Sequence, residues 1–130
     1  MKPSPTPPTK EPEPTVPPLL RSLAIDLGAL LGGGVEWTPL HDGVEICRLY
    51  GDGTEGPSAA FVRYAPNARL RLHEHEGLEH IFVLSGFQED DAGVYRAGTM
   101  VVNPPGSQHS VRAPEGCIAL VLWEKPVRFI

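Results

Sequence analysis

The sequence predicts an all-β fold in the form of one small barrel or sandwich. From Val35 onward, short runs of β-branched and aromatic residues are separated by Gly, Pro, Asn and Asp, a pattern typical of antiparallel sheets. The chain has 130 residues, 41% of them hydrophobic, which suits one compact domain over residues 35–130 and leaves no room for a second. We predict strands at 35–38, 43–50, 58–64, 68–75, 79–85, 93–96, 99–103, 108–113, 117–124 and 127–129.

The N-terminal segment differs in composition from the rest of the chain. Residues 1–18 contain eight of the fifteen prolines, with polar residues between them and almost nothing apolar to bury. We therefore predict a solvated, disordered tail that favours polyproline conformations.

A short amphipathic helix is predicted after this tail. Apolar residues recur at helical spacing between Leu19 and Leu31, and the triplet 32–34 of glycines ends the pattern. Residues 19–34 are thus expected to form a helix and a glycine linker. The helix would cover an open face of the domain or contribute to a dimer contact.

Composition also restricts the partners of the protein. The formal charge is −5 and the basic residues are not clustered, which argues against nucleic-acid binding. No apolar run is long enough to span a membrane and no signal peptide is recognisable, so we expect a cytoplasmic protein. Cys47 and Cys117 lie in apolar surroundings without metal-site or redox spacing, which predicts buried reduced thiols.

Four of the five histidines fall between positions 73 and 109, with carboxylates among them. Residues two apart in a strand point to the same face, so His73 and His75 can direct both imidazoles to one point. The strand that follows can add either Glu79 or His80 to this pair, because the two side chains point to opposite faces. Periodicity alone leaves these alternatives open, since both faces of that strand carry apolar residues.

Two spacing patterns cover residues 67–113. The first reads N-x5-H-x-H-x3-E-x6-G from Asn67, and the second reads G-x5-P-x-G-x2-H-x3-A from Gly98. They resemble the two motifs of the cupin superfamily, which have glycine at the position of Asn67 and asparagine at that of Ala113. Asn adopts the same turn conformations as Gly. The resemblance implies a jelly-roll barrel in which His80 points outward and the metal ligands are His73, His75, Glu79 and His109.

Within the superfamily, the chain is most similar to the ChrR-like cupins. The segments that carry this resemblance are 37–39 (WTP), 79–86 (EHIFVLSG), 95–99 (YRAGT) and 103–107 (NPPGS). In ChrR-type anti-sigma factors such a domain binds zinc and follows a helical domain that holds the sigma factor. The sequence contains no such helical domain, so we do not expect a complete anti-sigma factor. Related small cupins include Fe(II) dioxygenases with a three-histidine version of the site.

Three neutral imidazoles and one carboxylate suit one divalent transition metal ion, which can be Zn, Fe, Mn, Ni or Cu, whereas Mg and Ca prefer oxygen ligands throughout. Such a set leaves coordination positions open for water or substrate. Two functions fit this site. One is a metal-binding sensor or accessory protein for a small molecule. The other is an Fe(II)-type dioxygenase, or another metal-dependent enzyme, that acts on a small chelating substrate such as a diketone or enolate.

The remaining candidate residues receive simpler interpretations. His41 is expected in a surface loop. Arg69 and Arg71 share the sequence parity of the histidine pair, so either could reach the barrel mouth, although solvated strand charges are commoner. The aromatic and sulfur side chains at 64, 82, 100 and 123 are interpreted as core or interface packing, with pocket lining as the alternative for any one of them. The expected pocket lining is Val62, Tyr64, Ile81, Val83, Met100 and Val111. A homodimer is expected because the edges of so small a sheet need covering.

Overall fold

The structure is a computed structural model that describes residues 21–130; the predicted tail 1–18 and residues 19–20 lie outside this range. The elements in chain order are α1 Leu27–Leu31, β1 Thr38–His41, β2 Val44–Tyr50, β3 Ser58–Tyr64, β4 Ala68–His75, β5 Glu79–Asp90, β6 Gly93–Arg96, β7 Met100–Asn103, β8 Gln108–Ala113, β9 Cys117–Trp123 and β10 Val127–Phe129. The all-β prediction is confirmed. The helix of the described residues is too short to cross a membrane.

The ten strands form one curled antiparallel sheet in the order β1-β2-β3-β9-β5-β8-β4-β10, with β6 and β7 paired to β5. The long strand β5 belongs to both halves of this sheet. Its first part pairs with β7 and β9, and its last part pairs with β6 and β8. The curl therefore brings the inner faces of β4 and β8 opposite those of β2, β3 and β9.

Alternate residues of these strands fill the interior, as period-2 patterning requires. In β3, Ala60, Val62 and Tyr64 belong to the main core cluster together with Ile81 and Val83 of β5. All of them are at least 93% buried. Each buried Val or Ile side chain contributes about 1.5–3 kcal/mol to folding, before conformational entropy is counted.

Two β-bulges change which residues face the interior. In β4, Leu70 pairs with Val111 and His73 pairs with His109, so three steps along β4 match two along β8. Leu70 is therefore on the same inner face as the histidines, whereas Arg69 and Arg71 are exposed. These arginines are therefore solvated strand charges, the commoner of the two alternatives, because the bulge keeps them off the inner face despite their shared sequence parity.

A second bulge interrupts β5 between Val83 and Ser85. Before it, odd-numbered residues of β5 face inward; after it, Gln88 is buried and Asp90 turns its side chain inward. The strand runs five residues beyond the predicted end at position 85, because Gly86 adopts a φ of 70° within the strand instead of ending it.

The turn before β4 has the conformation expected from the sequence. Asn67 has a φ of 67° and is the one non-glycine residue with positive φ among those the structure describes. This left-handed region is where Gly and Asn are tolerated. Asn67 can therefore stand in the place of the glycine of the cupin motif without altering the turn.

The helix is shorter than predicted. Residues 21–26 are not helical, and α1 begins after Asp26, whose carboxylate accepts hydrogen bonds from the backbone N–H groups of Gly28 and Ala29. Asp26 is a good N-cap because it satisfies donors that the first turn leaves free. Only Leu30 of the helix is buried, so one turn anchors this segment.

Candidate metal centre

Three strands bring the predicted site residues to one end of the barrel. His73 and His75 end β4, and His109 on β8 pairs directly with His73. Glu79 begins β5, where it lies in register with Trp123 of β9 and Asn103 of β7. Pairing with β8 and β10 fixes the backbone of β4 beneath its two histidines, and pairing with β7 and β9 fixes the backbone of Glu79.

The three histidines form a compact, buried cluster. His73 and His75 are each 1% exposed. One ring nitrogen from each of His73, His75 and His109 lies within 4.8 Å of the other two, which makes the cluster a possible metal site. The ring centroids are 4.7–5.2 Å apart and the rings meet edge to face.

Each imidazole is held at Nδ1 by a different acceptor. The distances are 2.8 Å from His73 to the carbonyl oxygen of Arg71, 2.8 Å from His75 to Oγ of Ser107, and 2.9 Å from His109 to Oδ2 of Asp90. A carbonyl and a carboxylate can only accept. Ser107 donates its own proton to the carbonyl of Pro104 at 2.6 Å, so it accepts from His75. All three rings therefore carry the proton on Nδ1.

This tautomer leaves the Nε2 lone pairs free at the centre of the cluster. Among residues 21–130, Nε2 of His75 and Nε2 of His109 are buried without a hydrogen-bond partner. Burial lowers the pKa of His73, which favours the neutral ring that metals require. Buried nitrogens without partners are costly, and an ion bound between them would satisfy them. The residues present thus fit a transition metal.

Glu79 lies beside this cluster and is almost fully buried. Its Oε1 is 3.0 Å from Nε2 of His75 and 3.9 Å from Nε2 of His109. The carboxylate accepts hydrogen bonds from Nδ2 of Asn103 at 3.0 Å and from Nε1 of Trp123 at 2.7 Å. His80 lies on the opposite face of β5 and is partly exposed.

A cavity of about 160 Å³ adjoins the histidines. His73, Glu79 and His109 form part of its wall, and most of the remaining lining is apolar. A cavity of about 150 Å³ accommodates a molecule the size of benzene. Four of the expected lining residues are in place, while Val83 is packed in the core and Met100 is 52% exposed on the outside. The lining includes Ile46, Val62, Tyr64, Ile81, Val111 and Trp123.

Side chains of β1 and β10 form one part of the cavity wall. Phe129 of β10 contacts His73 with a ring-centroid distance of 5.6 Å, and His41 meets Phe129 edge to face at 5.2 Å. The guanidinium of Arg71 lies 4.5 Å from the centre of the Phe129 ring. His41 was predicted in a surface loop; it is exposed, as predicted, but it ends β1 and also lines the cavity.

Four residues that hold the site in place were not identified as such from the sequence. They are Asp90, Asn103, Ser107 and Trp123, and each contacts a predicted ligand or its hydrogen-bond partner. Trp123 was interpreted as packing, with pocket lining as the alternative; it lines the cavity and also donates to Glu79, which was not predicted. Sequence proximity could have indicated Ser107, which lies two residues before His109. Asp90 is inward only because of the β5 bulge.

Comparison with protein families and curated proteins gives two matches. The model of the ChrR Cupin-like domain matches residues 33–127 of the chain. A protein of Cereibacter sphaeroides provisionally named dimethylsulfoniopropionate lyase DddL is 30% identical, over 55% of this chain and 35% of its own length. The chain therefore spans about a third of this relative.

Solved structures with a similar fold include a sigma-factor complex and a dioxygenase. The structure of Rhodobacter sphaeroides SigE in complex with the anti-sigma ChrR matches with a TM-score of 0.61 and 26% identity, covering 68% of this chain and 48% of the matched chain. An acetylacetone dioxygenase from Acinetobacter johnsonii matches with a TM-score of 0.69 and 14% identity, covering 93% of this chain and 85% of the matched chain. At 14% identity, this second likeness concerns the fold alone.

Proposed function

The chain belongs to the ChrR Cupin-like domain family, and on this basis we propose that it binds one divalent transition metal ion through His73, His75, His109 and Glu79. The observation that carries this proposal is the common tautomer of the three histidines. Each Nδ1 donates its proton in a hydrogen bond, and the Nε2 atoms are directed to one buried point. Such outer contacts are typical of histidines that ligate metals.

The biochemical role that we propose is that of a sensor or accessory protein for a small molecule. The cavity beside the histidines has room for a ligand about the size of benzene. The chain's similarity to the structure of SigE with the anti-sigma ChrR supports a role in binding and signalling. In this role the ion stabilises the barrel and helps to recognise the ligand, and the ligand leaves unchanged.

A metal-dependent enzyme is the second candidate, and the cavity is also the observation that favours it. A bound metal of this kind supplies Lewis-acid chemistry, or oxygen chemistry if it is redox-active. The name of the Cereibacter relative suggests lyase chemistry. The similarity in fold to an acetylacetone dioxygenase is compatible with an Fe(II)-type dioxygenase that acts on a small chelating diketone or enolate. This chain would contribute the walls that orient the substrate and exclude water.

The metal proposal is tested by elemental mass spectrometry of the freshly purified full chain. We expect about one transition metal ion per chain. The double variant His73→Ala/His109→Ala should contain none, whereas the matched double variant His41→Ala/His80→Ala should retain it, because neither of these histidines belongs to the donor cluster.

Thermal unfolding gives a second measure of the same site. An ion present at a hundred times its Kd adds about 2.7 kcal/mol to the free energy of unfolding, which corresponds to a Tm increase of about 10 °C or more for a domain of this size. A chelator should reverse this increase. A native protein that holds no metal, and whose Tm does not respond to Zn, Fe, Mn, Ni or Cu, would contradict the proposal.

Metal identity and turnover separate the two candidate functions. Tightly held zinc, with no consumption of diketones or of dimethylsulfoniopropionate, would support the binding role. Iron, manganese, nickel or copper together with substrate-dependent oxygen uptake or product release would support the enzyme. The variant Val111→Phe places a larger side chain in the cavity. It should abolish ligand binding in the binding role, or turnover in the enzyme, while the metal content stays the same.

A further inference from the structure

Asp90 connects His109 to the turn between β5 and β6. Its side chain is only 7% exposed. Oδ2 accepts a hydrogen bond from Nδ1 of His109 at 2.9 Å. Oδ1 accepts three hydrogen bonds from the hairpin: from the backbone N–H groups of Ala92 at 2.9 Å and Gly93 at 3.1 Å, and from the hydroxyl of Tyr95 at 3.0 Å. The two carboxylate oxygens thus have separate tasks.

This division fixes both the position and the proton of the His109 ring. Three donors on Oδ1 hold the carboxylate plane, so Oδ2 has one orientation relative to His109. Since an ionised carboxylate accepts hydrogen bonds and does not donate them, the ring must carry its proton on Nδ1. Nε2 is then the nitrogen with the free lone pair, and it is the nitrogen that faces His75 and Glu79.

We propose that Asp90 is a positioning residue for the metal centre, which sets the tautomer and the direction of His109 through the β5–β6 hairpin. The consequence for metal affinity rests on the proposed function, whereas the tautomer itself can be measured without any metal. Asp90 lies outside both cupin motifs of the chain. Through Asp90, the hairpin that follows β5 becomes part of the structure that supports the four proposed ligands.

The substitution Asp90→Asn keeps the shape of the side chain but removes its negative charge and replaces one acceptor oxygen with an NH₂ donor. The Asn oxygen is expected to stay on the hairpin, because turning the amide would direct its NH₂ group at the N–H groups of Ala92 and Gly93. The NH₂ group then faces Nδ1 of His109 and donates to it. The proton of the ring must move to Nε2, where it blocks the lone pair that a metal needs.

The first measurement is ¹⁵N NMR of the imidazole nitrogens in the metal-free full chain, with His109 assigned from a His109→Gln spectrum. In the wild type we expect the proton of His109 on Nδ1, and in Asp90→Asn on Nε2. A wild-type His109 that carries its proton on Nε2 would overturn the proposal, whatever the metal content of the protein.

The second measurement is zinc affinity, determined by competition with a chelating dye. Outer contacts of metal-binding histidines are typically worth 10–100-fold in affinity, so we expect about that loss for Asp90→Asn. Asp91→Asn removes the same charge from the neighbouring, 98% exposed residue and should change the affinity by less than about twofold. An equal loss in Asp91→Asn would show that general charge is responsible and would refute the positioning role.

Tyr95→Phe distinguishes positioning from simple packing of the hairpin. It removes one hydrogen bond to Oδ1 and leaves the contact between Oδ2 and His109 intact. We expect near wild-type zinc affinity and an unchanged His109 tautomer, even if the Tm falls. If Tyr95→Phe loses as much affinity as Asp90→Asn with the tautomer unchanged in both, Asp90 acts only through the stability of the hairpin, and the proposal is wrong. If the wild type binds none of Zn, Fe, Mn, Ni and Cu while the tautomers behave as expected, the proposed function fails and the positioning of His109 stands.

Discussion

The three histidines of the candidate metal centre are oriented by three chemically different acceptors. His73 uses a backbone carbonyl, which no substitution of a side chain can remove. His75 uses the hydroxyl of Ser107, which has its own proton committed to the carbonyl of Pro104. His109 alone uses a carboxylate. The orientation of the cluster is thus distributed over backbone, neutral and charged groups, and His109 is the ring whose orientation depends on a charged side chain.

Glu79 is the residue whose role in metal binding is most directly testable. Its two oxygens accept from Asn103 and Trp123, so Glu79→Gln would bring an NH₂ group against one of these donors and remove a negative charge from the centre. We predict at least a tenfold loss of zinc affinity, measured by dye competition. The control is His80→Gln on the opposite face of β5, which should bind zinc as the wild type does. Equal affinities for Glu79→Gln and wild type would exclude Glu79 as a ligand.

Both thiols are free, as the sequence predicted. Cys117 is 4% exposed, and burial raises its pKa to about 12, so at neutral pH it is a protonated core residue. Its thiol donates weakly to Oε1 of Gln88. Cys47 is only partly buried, and burial raises its pKa as well. Neither thiol lies in the electropositive surroundings that lower the pKa of reactive cysteines.

At the level of the strands, the bulges in β4 and β5 decide which side chains reach the interior. The β4 bulge places Leu70 in the cavity wall and sends Arg71 to the surface, where it lies over Phe129. The β5 bulge directs Asp90 toward His109. Each bulge adds one residue to one strand. Because side chains alternate between the two faces of a sheet, the residues after the bulge point to the opposite face from the one that regular alternation predicts.

Two single-residue deletions in β4 test this reading of the bulge. Deleting Leu72 leaves one residue between Leu70 and His73, so the pairing with β8 becomes regular and both histidines stay inward. Deleting Glu74 makes His73 and His75 neighbours, and only one of them can then face the centre. We predict that the first variant retains about one metal ion per chain and that the second contains none, as measured by elemental mass spectrometry.

The two deletions control for each other, because each shortens the same strand by one residue at partly exposed positions. Both variants are expected to melt below the wild type, since ladder hydrogen bonds are rearranged. Loss of metal in the Leu72 deletion, from a protein that is folded by circular dichroism, would mean that the bulge itself is required for the geometry of the centre.

Strand positions were predicted well where turn residues and alternation coincide. The bounds of the strands at 58–64, 68–75, 93–96, 108–113 and 127–129 agree with the structure. The first strand begins at Thr38 and not at 35, and the helix keeps only its last turn. Isolated helices of a few turns are marginal without tertiary packing, and only Leu30 of this segment is buried. The apolar spacing of the leucines was therefore an insufficient criterion.

On the scale of the whole molecule, the outer face of β5 and β7 is apolar and exposed. Phe82 and Met100 are paired neighbours, and Val102 lies opposite His80 two residues further along the same face. Their exposed fractions are 37%, 52% and 46% respectively. Adjacent exposed apolar side chains of this kind mark interaction surfaces more often than isolated ones do. This apolar face is the surface that we expect the homodimer predicted from the sequence to bury.

Sedimentation at micromolar concentration tests the dimer. We predict a species of twice the 14.1 kDa chain mass for the wild type and a 14.1 kDa species for Met100→Glu, because a buried unpaired carboxylate at the interface is costly. Val94→Glu is the matched control, since Val94 is 51% exposed on β6, outside this face. A wild-type chain that sediments as a monomer would refute the homodimer.

The sequence by itself determined the all-β class, most strand bounds and the shared face of His73 and His75, because alternation and turn chemistry are local properties of the chain. That His109 joins this pair was implied by the resemblance to the cupin motifs. Only the tertiary structure decided which groups hold these histidines, how large the cavity is and which residues form its wall. Asp90 reaches His109 across 19 residues, and Trp123 reaches Glu79 across 44. Such contacts depend on strand register and on two bulges, and a one-residue change in either reverses the faces without changing the local pattern.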